Sequence, residues 1–181
     1  MPAQIEPYAG LTLAALGGEA SAWIEAYQRE LSADEDDLTR PEDGFLDFVI
    51  ANTDRSIPRR IALFERAVST ARMARHDHET LRVSDGRLRL HRAACVIDMP
   101  GPADQVIATI ALGLPVPAYT GWPVLVAPGL PTLWRQASPA ENAVCTWLTR
   151  PRQRDAVLER FSGVEHVLQR LLDARAITDG T

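Results

Sequence analysis

The chain is predicted to fold as an α+β protein: a helical N-terminal part, small antiparallel β hairpins, and a C-terminal three-helix, winged-helix-like module. Three observations predict this. Apolar residues recur at helical spacing in three stretches before residue 76 and again after residue 138. Short β-type runs in the middle are punctuated by Asp85-Gly86 and Pro128-Gly129, both turn signals. Finally, 181 residues with 46% apolar content suffice for a real core. The chain reads either as one continuous domain or as two parts. Residues 1–113 would hold the first helices and first hairpin, and 114–181 the second hairpin and last helices, with 114–122 as the boundary.

The elements follow in order. "GGEASAWIEAYQREL" (17–31) sets Ala22, Trp23, Ala26, Tyr27 and Leu31 on one helical stripe, and "LGG" (16–18) reads as a break before it. "PEDGFLDFVIANT" (41–53) opens with Pro41 and acids, as a helix N-terminus prefers. "SIPRRIALFERAVSTARMAR" (56–75) is the clearest helix. Ser56 is a fitting N-cap, Ile57, Ile61, Phe64, Val68 and Ala71 form the stripe, and Arg59, Arg66 and Arg72 occupy the other face.

Strands are expected at 80–84 and 87–91, closed by Asp85-Gly86 as a type I′ turn, and at 94–99. "PADQVIATIALG" (102–113) reads as a helix ended by Gly113 and Pro115. "WPVLVAPGLPTLWRQ" (122–136) reads as a second hairpin, with Pro131 restricting its return strand to an edge. "SPAE" (138–141) and "SGVE" (162–165) both have capping-box spacing. The stripes Val144/Trp147/Leu148, Val157/Leu158/Phe161 and Val164/Val167/Leu168/Leu171/Leu172 supply three C-terminal helices.

Charge is segregated along the chain. Its net value is −5, and all 19 basic residues are arginine. Residues 1–54 hold 12 acids against 2 arginines, whereas 55–92 hold 10 arginines against 4 acids. The first hairpin lies inside this basic block. Its register would place Arg82 opposite Arg89 with Arg87 adjacent, a repulsion of roughly 0.2–1 kcal/mol. An anion is therefore expected on that face. It is either the chain's own "ADEDD" (33–37) or acidic groups of a bound peptide or partner, and the external anion is the favoured expectation.

The chemistry-bearing residues are sparse. His76 and His78 share a face only on a strand, yet they fall at a helix end. His91, Cys95, Cys145 and His166 have no metal-ligand spacing. Both cysteines sit in apolar surroundings and read as small buried hydrophobes. There is no glycine-rich phosphate loop, nucleophile elbow or carboxylate pair, so no catalytic residues and no metal site are assigned. Trp122 and Trp134 flank the second hairpin, with Arg135 beside them. Aromatics near an edge strand suit a buried interface, although Trp134 fits a core position as well. The candidate peptide- or partner-binding residues are thus Arg82, Arg87, Arg89, Trp122, Trp134 and Arg135.

The succession "SIPRRIALFERAVSTA", "LRLHRAACVIDMPGPADQVIATI" and "PVLVAPGLPTLWRQASPAENAVCTWL" resembles the small partner proteins of multinuclear non-haem iron oxidative enzymes. Those proteins accompany an iron-bearing TIM-barrel enzyme that modifies cysteines of ribosomally made peptides, in settings such as the methanobactin and 3-thiaglutamate pathways. The resemblance covers roughly residues 41–175 and leans to the 3-thiaglutamate setting. It implies a non-catalytic recognition subunit, forming a heterodimer with the iron enzyme and recruiting a precursor or carrier peptide. Iron would belong to the partner, and this chain would need no cofactor. With no basic-then-apolar N-terminal pattern and no run of about 18 apolar residues, a cytoplasmic protein without membrane or nucleic-acid partners is expected. The rival from another class is a winged-helix DNA-binding regulator. Its hairpin and helices support it, but the near-balance of arginines and acids after residue 138 is a poor footprint for phosphates. A stand-alone hydrolase or metalloenzyme has only the scattered His and Cys residues behind it.

Overall fold

A computed structural model describes residues 6–33, 41–76, 86–116 and 121–179. The fold is α+β. Its helices are α1 (Glu6–Leu16), α2 (Ala20–Ala33), α3 (Pro41–Asn52), α4 (Ser56–Arg75), α5 (Ala103–Ala111), α6 (Pro139–Trp147), α7 (Arg154–Arg160) and α8 (Glu165–Asp173). The strands are β1 (Arg87–Leu90), β2 (Cys95–Met99), β3 (Trp122–Val126), β4 (Trp134–Gln136), β5 (Arg152–Gln153) and β6 (Ile177–Asp179). Among the described residues, no helix is long and apolar enough to cross a membrane. The chain divides into two compact units, Met1–Ser69 with Met99–Trp122, and Thr70–Asp98 with Pro123–Thr181.

The first unit is helical. Its core gathers Ala9, Leu13, Leu16, Tyr27, Phe45, Leu46, Val49 and Ala62, with Tyr27 edge-on to Phe45 at 5.6 Å. Helix α1 escaped the sequence reading and is not regular. Ala9 leaves helical geometry at φ −126°, ψ 23°, which frees the amides that follow. Glu65 of α4 captures them, accepting from Leu11 N at 2.9 Å, Thr12 N at 2.8 Å and Thr12 Oγ1 at 2.6 Å. Burial pushes the Glu65 carboxyl pKa up, and these hydrogen bonds oppose that rise. A side chain 53 residues away thus caps the part of α1 that follows the kink.

The second unit carries two three-stranded sheets, ordered β5-β1-β6 and β2-β3-β4. The expected second hairpin is present, with Val124 opposite Gln136, Leu125 opposite Arg135 and Val126 opposite Trp134. Of the expected first hairpin, only the second strand is described. The first, 80–84, including Arg82, lies outside the described residues, and β1 has other partners. Leu88 pairs with Arg152 on one side and Asp179 on the other, while Arg89 faces Thr178 and Arg87 faces Gln153. Both edges of β1 are thus occupied among the described residues, by β5 and β6. Turn chemistry is local, whereas β1 is claimed by strands more than sixty residues later.

Helices α6, α7 and α8 surround the first of these sheets in the chain order α6-β5-α7-α8-β6, a winged-helix-like arrangement completed from upstream by β1. Leu88, Leu125, Val144, Leu148, Val157, Leu168, Leu171 and Ile177 fill the core, each at most 1% exposed. Ser138 and Glu141 form the predicted capping box. "SGVE" does not form one: Gly163 takes φ +74°, the helix starts at Glu165, and its N-cap Val164 has no hydrogen-bonding side chain.

Two arginines of this unit, Arg75 from the basic block and Arg175 near the C-terminus, are spent on backbone carbonyls. Arg75, at the end of α4, reaches Pro128 O at 3.2 Å, Pro131 O at 3.0 Å and Leu130 O. Arg175 occupies the left-handed position after α8 at φ +52°, closing it with Arg175 N to Leu172 O and Ala176 N to Leu171 O, both 2.8 Å. Its guanidinium then donates to Arg75 O at 3.2 Å and Ala74 O at 3.5 Å. Gly129, in the β3–β4 turn, donates to Ala174 O at 3.0 Å, and a Cβ there would stand 2.6 Å from the Ala174 carbonyl carbon.

Candidate functional site

Strand alternation decides which side chains of the β5-β1-β6 sheet share a face. Leu88 points into the core, so Arg87 and Arg89 on either side of it point to the opposite face. Gln153, opposite Arg87, and Thr178, opposite Arg89, join them there. Arg89 Nε donates to Thr178 Oγ1 at 3.3 Å, which holds the guanidinium along the sheet. Beyond β1 the chain turns through His91 and Arg92. His91 is 5% exposed, and its Nδ1 accepts from Ala93 N at 3.1 Å, so this ring serves the turn. Arg89, Leu90, His91, Arg92 and Thr178 line a concavity of about 300 Å³. The face is basic, hydrogen-bonding and flanked by an outermost strand, β6. It can take an anionic ligand in extended form.

Of the sequence-predicted residues, the structure brings Arg87 and Arg89 together. Trp122 and Trp134 are both half-buried, but Trp134 lies opposite Val126, four residues along β3 from Trp122. They are roughly 13 Å apart along the strand and do not form one anchor. Arg135 is taken up internally. Its guanidinium grips Glu141 with hydrogen bonds of 2.9 and 2.7 Å, while Ser138 N donates to the same carboxylate at 2.8 Å and Arg170 approaches at 3.3 Å. Glu141 is 1% exposed. Burial alone would raise its pKa, but the Arg135 and Ser138 hydrogen bonds reverse this and hold it at about 2. The thiol of Cys145, 2% exposed, is pushed up to about 12 by burial and by the Glu141 charge, so it remains a protonated core group.

Sequence reasoning missed Arg92, Gln153 and Thr178; the last two sit beside Arg87 and Arg89 only because β5 and β6 pair with β1. The residues Asp77, His78 and Glu79 lie outside the described residues. Among the described residues, no three His, Cys, Asp or Glu side chains converge as metal ligands would. A larger concavity of about 700 Å³ in the first unit is lined mainly by apolar residues, including Ile57, Ile110, Leu114 and Val116, and by none of the predicted residues. No protein-family model matches the chain, and no curated protein matches it significantly.

Proposed function

We propose that this chain is a non-catalytic partner subunit that binds a TIM-barrel multinuclear iron enzyme and presents to it a ribosomally made precursor or carrier peptide for cysteine modification. The observation that carries the reading is the outer face of the β5-β1-β6 sheet. There Arg87 and Arg89 stand on alternate positions of a central strand, beside a concavity rimmed by Arg92 and Thr178. An extended peptide adds to an outermost strand through main-chain hydrogen bonds, and guanidinium groups read its carboxylates bidentately. The resemblance of residues 41–175 supplies the partner and the setting. The iron and the chemistry reside in the enzyme, and the complex works in the cytoplasm, in keeping with two free cysteines.

Co-expression with the iron enzyme followed by size exclusion tests the claim. The expected result is co-elution, with Arg87→Gln/Arg89→Gln weakening peptide recruitment in a salt-dependent way and leaving the free protein as stable as the parent. Separate elution at about micromolar concentration overturns it.

The winged-helix order of α6-β5-α7-α8-β6 favours a second reading, a DNA-binding regulator. Electrostatics opposes it: α8 carries Glu165 and Asp173, and its Arg170 is engaged with Glu141. Sequence-specific DNA binding near physiological salt would reverse the ranking.

A further inference from the structure

Arginines with no acidic partner gather at the α6–β5–α7 corner, on the other side of the sheet from Arg87 and Arg89. Arg152 lies opposite Leu88 in the register, so its side chain leaves β5 on the helix-covered face, whereas Gln153 shares the outer face with Arg87. The Arg152 guanidinium stands over the Trp147 ring at 5.0 Å, and Arg160 stands 5.7 Å from that ring and 5.8 Å from the Phe161 ring. Trp147 and Phe161 meet edge to face at 5.8 Å, both half-buried on the rim of the core. Arg150 and Arg154 flank the pair and are exposed. The segment 150–160 thus holds four arginines against Asp155 and Glu159, and none of the four makes an ion pair among the described residues.

One atom points to what is missing. Arg152 Nε is shielded from water and has no hydrogen-bond partner, the one such buried side-chain atom among the described residues. Native proteins rarely leave a buried donor unmet. A guanidinium over an aromatic ring keeps its in-plane N–H groups for a carboxylate, and Nε with one Nη forms a bidentate edge. A carboxylate entering beside Trp147, with a small turn of the guanidinium, would satisfy Nε.

We propose that this corner is a docking surface for an acidic segment of a partner protein, in which Asp or Glu side chains meet Arg152 and Arg160 and a neighbouring apolar side chain packs beside Trp147 and Phe161. Charge complementarity selects the occupant. Guanidinium groups already stand over both rings, which leaves less room for stacked bases than for carboxylates. An acidic segment with interspersed apolar residues fits both features. The surface is separate from the outer sheet face and stands whether or not that face binds peptide.

The test uses the full chain and a fluorescein-labelled peptide of Glu-Asp-Leu repeats, with a Gln-Asn-Leu repeat and single- and double-stranded DNA oligonucleotides as comparisons, all followed by fluorescence anisotropy. The acidic peptide is expected to bind, weakening as salt rises, and Arg152→Gln/Arg160→Gln is expected to weaken it by about tenfold or more. Because Arg152 packs on Trp147, the exposed pair Arg150→Gln/Arg154→Gln is measured as well, with an expected loss of a few-fold and an unchanged melting temperature. Equal binding of the neutral repeat, tighter binding of either oligonucleotide, or full affinity in both variants overturns the proposal. So does a loss confined to Arg87→Gln/Arg89→Gln, which would assign the acidic probe to the outer face.

Discussion

Replacing Arg135 with leucine isolates a buried charge of the second unit, the Glu141 carboxylate. In the parent, the Glu141 carboxylate is 1% exposed and accepts from Arg135 at 2.9 and 2.7 Å, from Ser138 N at 2.8 Å, and faces Arg170 at 3.3 Å. Arg135→Leu removes the two Arg135 bonds and leaves the rest. Breaking a buried pair on one side costs about 3–5 kcal/mol, and the surviving donors reduce this to about 2–4 kcal/mol. The titration gives an independent figure. A carboxyl lowered from 4.5 to about 2 is stabilised in its charged form by about 3 kcal/mol. The sign of the pH dependence follows. Because the folded-state value lies below the unfolded one, this stabilisation is complete above pH 4.5 and is lost as the pH falls from 4.5 toward 2. In Arg135→Leu the folded carboxyl titrates at higher pH, so the deficit against the parent shrinks through that window. Urea denaturation of both proteins at neutral pH and at steps down to about pH 3 measures the difference, in which the other carboxylates cancel. A deficit under about 1 kcal/mol, or one that stays constant as the pH falls, refutes the reasoning. The clamp also matters for the proposed docking corner, since it ties α6, which ends at Trp147, to β4.

Three further outcomes are expected. Gly129→Ala sets a methyl group against the Ala174 backbone, 2.6 Å from its carbonyl carbon, and should destabilise by about 1–3 kcal/mol, read from the denaturation midpoint. Arg175→Ala and Arg175→Gly both lose the guanidinium bonds to Ala74 and Arg75, but only glycine relieves the left-handed backbone, so the glycine variant should be the more stable by about 1 kcal/mol. Cys145 should resist thiol reagents in the native protein at mildly alkaline pH and react once unfolded, since burial and Glu141 push its thiol up to about 12; mass spectrometry of labelled protein reads this directly.

Elements whose signals are local were legible in the chain. Helix α4 runs from Ser56 to Arg75 as its stripe and cap predict, and α6 opens on the Ser138–Glu141 box. Helix α1 was not legible, because its cap is Glu65, far along the sequence. The second "capping box" failed because Gly163 adopts a left-handed conformation and shifts the helix start. Within the candidate site, Arg87 and Arg89 were found from their position in a basic block. Gln153 and Thr178 carry no signal of their own, because a cross-strand neighbour is defined by pairing alone. Arg135 was read as a surface residue because nothing nearby in β4 marks its partner as a buried carboxylate.

Local signals along the chain set the α+β composition, the positions of most helices, the second hairpin and the segregation of acids from arginines. These follow from periodicity, capping and turn chemistry, which act over a few residues. Tertiary structure alone decided what the arginines do. It seated β1 between β5 and β6, committed Arg135 to Glu141 and Arg75 and Arg175 to carbonyls, and left Arg152 and Arg160 over an aromatic pair without a carboxylate. The physical reason is that a guanidinium is long and multivalent, and its partner is whichever acceptor the packed chain brings within reach.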